Sequence, residues 1–291
     1  MSATALPQIS TRRRLTDKVM RGSLLAGTLI ALIPLILIIY YLIHKGLSAW
    51  AMSGFFTTDP TGSFFGSPGG IRSAILGSLE IVALATLISI PIGIGVALYL
   101  TEFGKDSWFA NTVRYFVDVM TGVPSIMFGL FIYIVLVIGR FGGSGFAAWK
   151  GAVAISLLML PIVIRSAEVV LLLVPSSLRE AALALGAPRW RVVFKVVLPT
   201  SASGLVTGSL LAIARGMGET APLLFTVSTA FALTFSLNQQ MNTMPFLIYT
   251  DITSPRAAIQ TIAWGTALTL VAIVLILNLL ARFVASRSRM A

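Results

Sequence analysis

Arg215 and Glu219 stand four residues apart in the stretch Ala212-Ile-Ala-Arg215-Gly-Met-Gly-Glu219-Thr220-Ala-Pro222-Leu-Leu-Phe225-Thr226, which is otherwise nearly free of charge. Charge inside an apolar segment is expensive and is a functional candidate by default. Four residues is about one helical turn, so the two side chains share a face and can pair. Two readings fit. Either the pair lowers the cost of burying both charges, or Arg215 offers its fork of donors to an oxyanion while Glu219 holds or releases it, with Thr220 beside them. Mid-membrane, an Arg is poorly suited to passing a cation. Arg165 and Glu168, three apart, and Asp118, four residues after Arg114, read as structural or gate-associated ion pairs. Glu80 caps polar groups at the outer interface, faces the pathway or is protonated. The chain has no Cys and one His, His44. That excludes disulfides and thiol nucleophiles, and leaves no metal site and no catalytic set.

The elements that must position these groups follow from composition. Of 291 residues 57% are hydrophobic and 11% charged, against about 25% charged in soluble domains. A soluble domain cannot hide so much apolar surface, so the chain is expected to be an all-α integral membrane protein. Stretches of about 20 apolar residues can span a bilayer. Six qualify: roughly 23–43, 74–100, 112–139, 151–174, 200–229 and 260–284. Pro91, Pro124, Pro161 and Pro222 lie inside them and are expected to kink rather than break the helices. Small residues in Pro91-Ile-Gly93-Ile-Gly95 would let a neighbouring helix approach closely.

The charge is lopsided, 21 Lys and Arg against 10 Asp and Glu. In a membrane chain this surplus reads as cytoplasmic loops rather than nucleic-acid binding. Fifteen cations fall on the side holding both termini and five (Lys45, Arg72, Arg140, Lys150, Arg256) on the other, with Arg215 inside a span. Both termini are therefore expected in the cytoplasm of a multi-pass protein of the cytoplasmic (inner) membrane. Residues 1–22 form a cytoplasmic segment, polar and mobile over 1–16, and 285–291 a cytoplasmic tail. The first apolar run, although followed by Ala49-Trp50-Ala51, is too long for a cleaved signal peptide and is retained. Trp50, Phe55, Phe56, Phe64 and Phe65 in the outer segment 44–71 read as interfacial anchors.

Residues 175–199, between the fourth and fifth spans, read as two short helices. Ser177-x-x-Glu180 is a capping-box pattern, Gly186 suits a left-handed helix stop, Pro188 suits the first position of the second helix and Pro199 its end. Trp190, Val193, Phe194 and Val197 form an apolar stripe beside Arg189, Arg191 and Lys195. By physics alone this is a membrane-surface helix with its basic residues on lipid headgroups.

Glu180-Ala181-Ala182, three residues, Gly186, nine residues, then Val196-x-Leu198-Pro199 resembles the EAA loop of ABC importer permeases, with Val196 where that pattern has Ile. The stretch from Ala212 to Thr226, with Tyr99-Leu-Thr-Glu-Phe-Gly104, Gly122-Val-Pro-Ser-Ile126 and Leu160-Pro-Ile-Val-Ile-Arg165, resembles the phosphate-specific ABC importer permeases of the A-type (PstA family) over residues 70–284. The resemblance implies a six-span type I ABC importer permease that translocates inorganic phosphate, its EAA loop seated on a separate ATPase. It also implies a second, C-type permease subunit, two ATP-binding cassette ATPase subunits and an extracytoplasmic phosphate-binding protein. The chain lacks a G-x4-G-K-[ST] phosphate loop. No cofactor is therefore expected in it, and ATP is used by the partner. The alternatives are a permease for another oxyanion or small polar solute and, more distantly, an ion-coupled secondary carrier.

Overall fold

A computed structural model describes residues 11–61, 67–139, 143, 145–230 and 232–287. Residues 1–10 of the N-terminal segment, residues 288–291 of the tail with Arg289, and Phe64, Phe65 and Arg140 lie outside them. The described residues are helical: α1 (Thr11–Trp50), α2 (Arg72–Leu98), α3 (Trp108–Gly122), α4 (Ser125–Ile132), α5 (Ala148–Leu172), α6 (Ser176–Ala184), α7 (Arg189–Val192), α8 (Leu198–Gly218), α9 (Ala221–Thr226), α10 (Met244–Ile252) and α11 (Ala257–Arg287). Wider π-helical turns extend α2 through Tyr99–Gly104 and α4 through Tyr133–Ile138, and join α7 to α8 through Val193–Val197.

Five of these helices are long and apolar enough to cross a membrane, and the pair α3 and α4, bent by 103° at their junction, brings the number to six when counted as one span. α1 does not start at the apolar run. It begins at Thr11, because Arg12, Arg13, Arg14, Leu15 and Lys18 are good helix formers with no breaker among them, so residues 11–16 are helical. Its 40 residues span about 60 Å, twice the hydrocarbon thickness of about 30 Å. α1 meets the rest of the chain near its outer end. There a Cβ on Gly46 would fall 2.7 Å from Leu268 and one on Gly265 2.4 Å from Ala49, and the Trp50 indole donates to Thr269 Oγ1 at 3.0 Å.

The prolines divide into two kinds. At Pro34, Pro91 and Pro161 the helix continues. At Pro124 it breaks: Val123 is extended (φ −74°, ψ 129°) and Pro124 precedes the first turn of α4. A residue before proline avoids the helical region unless its surroundings force it. Around Pro91 and Pro161 they do, since α2 and α5 pack so closely that a Cβ on Gly93 would lie 2.6 Å from the Val163 side chain. α8 also ends before Pro222, at Gly218, with Glu219 extended.

The main core joins α2, α5, α8 and α9 through Ile81, Ala85, Ala152, Ile155, Met159, Ala212 and Leu223. Its small residues allow the close backbone approach that favours helix association in lipid. Outside, Asp59 ties two loops to α2. It accepts from Arg72 at 3.1 and 2.7 Å, from Ser73 N at 3.1 Å and from Leu233 N at 3.3 Å, and the Arg72 hydrogen bond holds its carboxyl below the usual range. Asn242, buried, donates to Ser73 Oγ at 3.2 Å and accepts from Ala230 N at 3.0 Å. At the end of α10, burial pushes the Asp251 carboxyl up to about 6, against a partial offset from the Thr250 hydroxyl.

An acid with a raised folded pKa stabilises the fold below its ordinary value and loses that contribution as pH rises through the folded value. The contribution of Asp251 is therefore lost between its ordinary 3.8 and about 6. Wild-type protein in detergent is expected to lose melting temperature relative to Asp251→Asn over that interval. A constant offset between the two at both ends of it refutes the assignment.

Candidate functional site

At the end of α8 the chain turns twice in three residues. Gly216 packs so tightly that a Cβ there would lie 2.9 Å from the Met159 sulfur. α8 stops at Gly218, Glu219 is extended and Thr220 opens α9. Arg215 and Glu219 still meet, Nη2 to Oε1 at 3.4 Å. They meet across a helix end rather than along a helix face, because Glu219 has left the helix. The two groups differ in surroundings: the Arg215 side chain is 57% exposed and that of Glu219 15%. A long contact with one exposed partner is weak, about 0–1 kcal/mol. Arg215 is thus held in place but available. Thr220 is half-buried, and its hydroxyl makes no hydrogen bond among the described residues.

The second break lies against the first. A Cβ on Gly129 of α4 would fall 2.6 Å from the Pro222 Cα, so α4 and α9 touch backbone to backbone. Gly122, Pro124 and Gly218, which flank the two breaks, are exposed.

At the inner end of α5 the expected Arg165–Glu168 pair is present, Nη1 to Oε2 at 2.7 Å. The expected Arg114–Asp118 pair is not. Arg114 Nε donates instead to Glu168 Oε1 at 2.7 Å, and Asp118 pairs with Arg165. Glu168 takes both guanidiniums because it is the more buried carboxylate, 7% exposed against 64% for Asp118. An unpaired charge there would cost more. Arg114 further donates to the carbonyls of Lys105 and Leu100 at 2.7 and 3.0 Å, and Arg165 to the carbonyl of Arg114 at 3.2 Å. The cluster closes α3 onto α5 and onto the end of α2. Glu80, half-buried on α2, has no hydrogen-bond or ion-pair partner among the described residues.

The cytoplasmic loop differs from its expected detail in four ways. Pro175, not Ser177, precedes α6, and no side-chain cap bond forms there. Pro188 likewise precedes α7 instead of opening it. Pro199 ends nothing: the helix runs unbroken from Arg189 to Gly218. The π-turn before it explains this. The Leu198 N–H reaches back to Val193 O, and this wider ladder accommodates a residue with no donor. The turn also splits the expected stripe. Val193 and Val197 are buried, while Trp190 and Phe194 are exposed.

The other elements of the loop stand where the spacing places them. Gly186 has φ +79° with nothing within 4 Å of a built Cβ, so it serves backbone conformation and not space within this chain. Ala187 N bonds Ala182 O at 3.2 Å and Gly186 N bonds Leu183 O at 2.9 Å, a Schellman stop. Glu180, Ala181 and Pro199 are exposed, and Val196 and Leu198 are half-buried. Ala182 packs on the cluster of Leu171, Val174, Val192 and Val197. Leu185, at the tip, is 89% exposed.

Sequence reasoning missed Glu102 and Arg179. They lie 77 positions apart, and Arg179 donates to Glu102 Oε1 through Nε at 3.0 Å and Nη2 at 2.8 Å. The one sequence signal was that both adjoin span ends on the same side.

Residues 89–290 match the family described as binding-protein-dependent transport system inner membrane component. The chain is 39% identical over 277 residues to the phosphate transport system permease protein PstA of Yersinia pestis, covering 95% of this chain and 92% of that one. It is 39% identical to the protein of that name from Haemophilus influenzae, with 93% and 94% covered, and 38% identical to that from Mycobacterium leprae, with 99% and 95% covered. Among solved structures, a bacterial alginate ABC transporter in complex with a periplasmic protein aligns with TM-score 0.67 at 15% identity, covering 94% of this chain and 95% of that chain. The inward-facing MetNI methionine ABC transporter aligns with TM-score 0.56 at 19% identity, covering 76% and 96%. These two likenesses are of fold, that of type I ABC importer permeases.

Glu168→Gln keeps the shape of the cluster but removes the charge that two guanidiniums share. It is expected to cost on the order of 3 kcal/mol and to lower the melting temperature of purified protein. An unchanged melting curve refutes the central place of Glu168.

Proposed function

The chain belongs to the binding-protein-dependent transport system inner membrane component family, as a multi-pass permease of the cytoplasmic membrane, and from that membership we propose that it carries inorganic phosphate inward. The observation that carries the substrate is identity of 38–39% over nearly the whole chain with permeases named for phosphate. The chain contributes the passage and not the hydrolysis of ATP, which belongs to a pair of ATP-binding cassette subunits. A second, C-type permease subunit completes the passage, and an extracytoplasmic phosphate-binding protein delivers the ion. No cofactor is required in this chain.

The broken helices supply the chemistry. Irregular backbone at membrane depth is tolerated only where it lines a water-filled cavity or is buried in protein. The breaks at 122–124 and 218–220, flanked by exposed Gly122, Pro124 and Gly218, therefore belong on the passage or against the partner subunit. Arg215, mostly exposed at one of them, offers paired N–H donors to phosphate oxygens. Glu219, 3.4 Å away, competes for the same guanidinium, which keeps the site from becoming a trap. Thr220 adds a hydroxyl at the bend. The Arg165–Glu168 cluster closes the inner end.

Coupling runs through the EAA loop. Leu185, Trp190 and Phe194 expose apolar surface at its tip and on its outer face, which suits a groove on the ATPase. Glu180 adds a charge beside them.

Arg215→Ala is expected to abolish ATP-driven uptake of labelled phosphate in proteoliposomes while the complex still assembles; normal uptake removes Arg215 from the pathway. Gly186→Ala forces a side chain into a left-handed position, at about 1 kcal/mol. With Glu180→Ala, it is expected to lower the phosphate carried per ATP hydrolysed. An unchanged ratio in both variants separates the loop from coupling.

A further inference from the structure

The coupling helix α6 has no buried side chain. Between it and the end of α2 lies a recess of about 210 Å³, lined in part by Glu102, Phe103, Lys105, Ser176 and Glu180. α6 is therefore not packed flush on the membrane body. One side chain crosses to the body with four hydrogen bonds. Arg179, 21% exposed, gives two N–H donors to Glu102, 11% exposed. Two further N–H groups reach Val174 O at 2.6 Å and Leu171 O at 2.9 Å, at and just past the inner end of α5. One planar fork thus holds the coupling helix to two spans, a geometry a lysine cannot reproduce.

The receiving segment is itself a link. Residues Tyr99–Gly104 are π-helical, a form common at functional sites, and Lys105 follows with φ +38°. Arg179 grips this segment at Glu102. On its other side Arg114 of α3 grips it at the carbonyls of Leu100 and Lys105. α3 runs from there to the break at Val123 and Pro124, and α4 beyond the break lies against Pro222.

We propose that Arg179 is a positioning residue for transport: with Glu102, the 99–105 segment and Arg114 it forms a polar strut that carries movement of the coupling helix into α3 and the broken span. The proposal rests on the reading of the chain as an ATPase-coupled permease and is independent of phosphate as the substrate. Apolar packing alone would let α6 slide over α5. A charged fork bonded to two spans instead resists shear, since displacement would leave Glu102 and two carbonyls unsatisfied in a largely buried place.

The chain has no cysteine, so a single one is a clean reporter. Thr121→Cys, exposed two residues before the break at Val123, is labelled with a maleimide in the full complex in proteoliposomes, without phosphate, before and after trapping with ATP and vanadate. In the reporter background the labelling rate of this chain changes on trapping. With Arg179→Ala added that change is lost, and with Glu102→Gln or Arg179→Lys it is reduced. Co-purification of the ATPase subunit checks assembly; should Arg179→Ala not assemble, Glu102→Gln, which keeps the side-chain shape, carries the test. The strut is refuted if the reporter does not respond in its parent background, or if its response is as large in Glu102→Gln and the assembled Arg179 variants. A role in stability alone would lower yield and leave the response per complex intact. Phosphate uptake by the wild-type complex is measured separately, so failure of the substrate reading is distinguishable from failure of the strut.

Discussion

In hydrocarbon every backbone N–H and C=O must find a partner inside the protein, and this one requirement organises the molecule. It makes the described residues helical and confines departures from helix to places that water or protein can reach. Two such departures interrupt or end apolar helices, at Val123–Pro124 and at Glu219–Thr220. They are not scattered. Gly129 sets α4 directly on the backbone of Pro222, so the two breaks share one region. Arg215 is there because the helix end is there: a guanidinium on an unbroken, lipid-facing helix would have no water and no acceptor.

The inner face of the protein follows a different rule. Charges near the membrane surface can be hydrated, yet the carboxylates there divide by depth. Glu168 and Glu102 are largely buried and each is held by guanidinium donors, whereas Asp118 stays exposed and takes what remains. Burial decides the pairing, since an uncompensated carboxylate in a dry place costs several kcal/mol and an exposed one little. The result is a lattice of arginines joining α2, α3, α5 and α6 at the end from which the ATPase would act.

How much of this was legible differs from element to element. Apolar length gave the five long helices and the bent α3–α4 pair, and the spacing from Glu180 to Pro199 gave the helix stop at Gly186. The Arg165–Glu168 contact was legible because three residues on one helix leave few alternatives. The Arg114–Asp118 expectation used the same logic and failed, because Glu168, 54 positions away from Arg114, offers a deeper site. Helix periodicity ranks near neighbours; it carries no information about a partner brought in by the fold. The capping box failed for a smaller reason, a two-residue shift that placed Pro175 where Ser177 was expected.

The five prolines within apolar stretches mark the boundary between the two kinds of knowledge. The sequence by itself determined that the chain crosses a membrane several times, which side carries its cations, that a helix stops at Gly186 and that Arg215 is anomalous. These are properties of composition and short-range spacing, and transfer free energy reads them directly. Only the tertiary structure decided that Pro91 and Pro161 sit in continuous helices while Pro124 and Pro222 adjoin breaks, and that Pro199 is carried by a π-turn. A proline withholds one donor wherever it stands. Whether the helix continues past it depends on what packs around it, and that is set by residues distant in the chain.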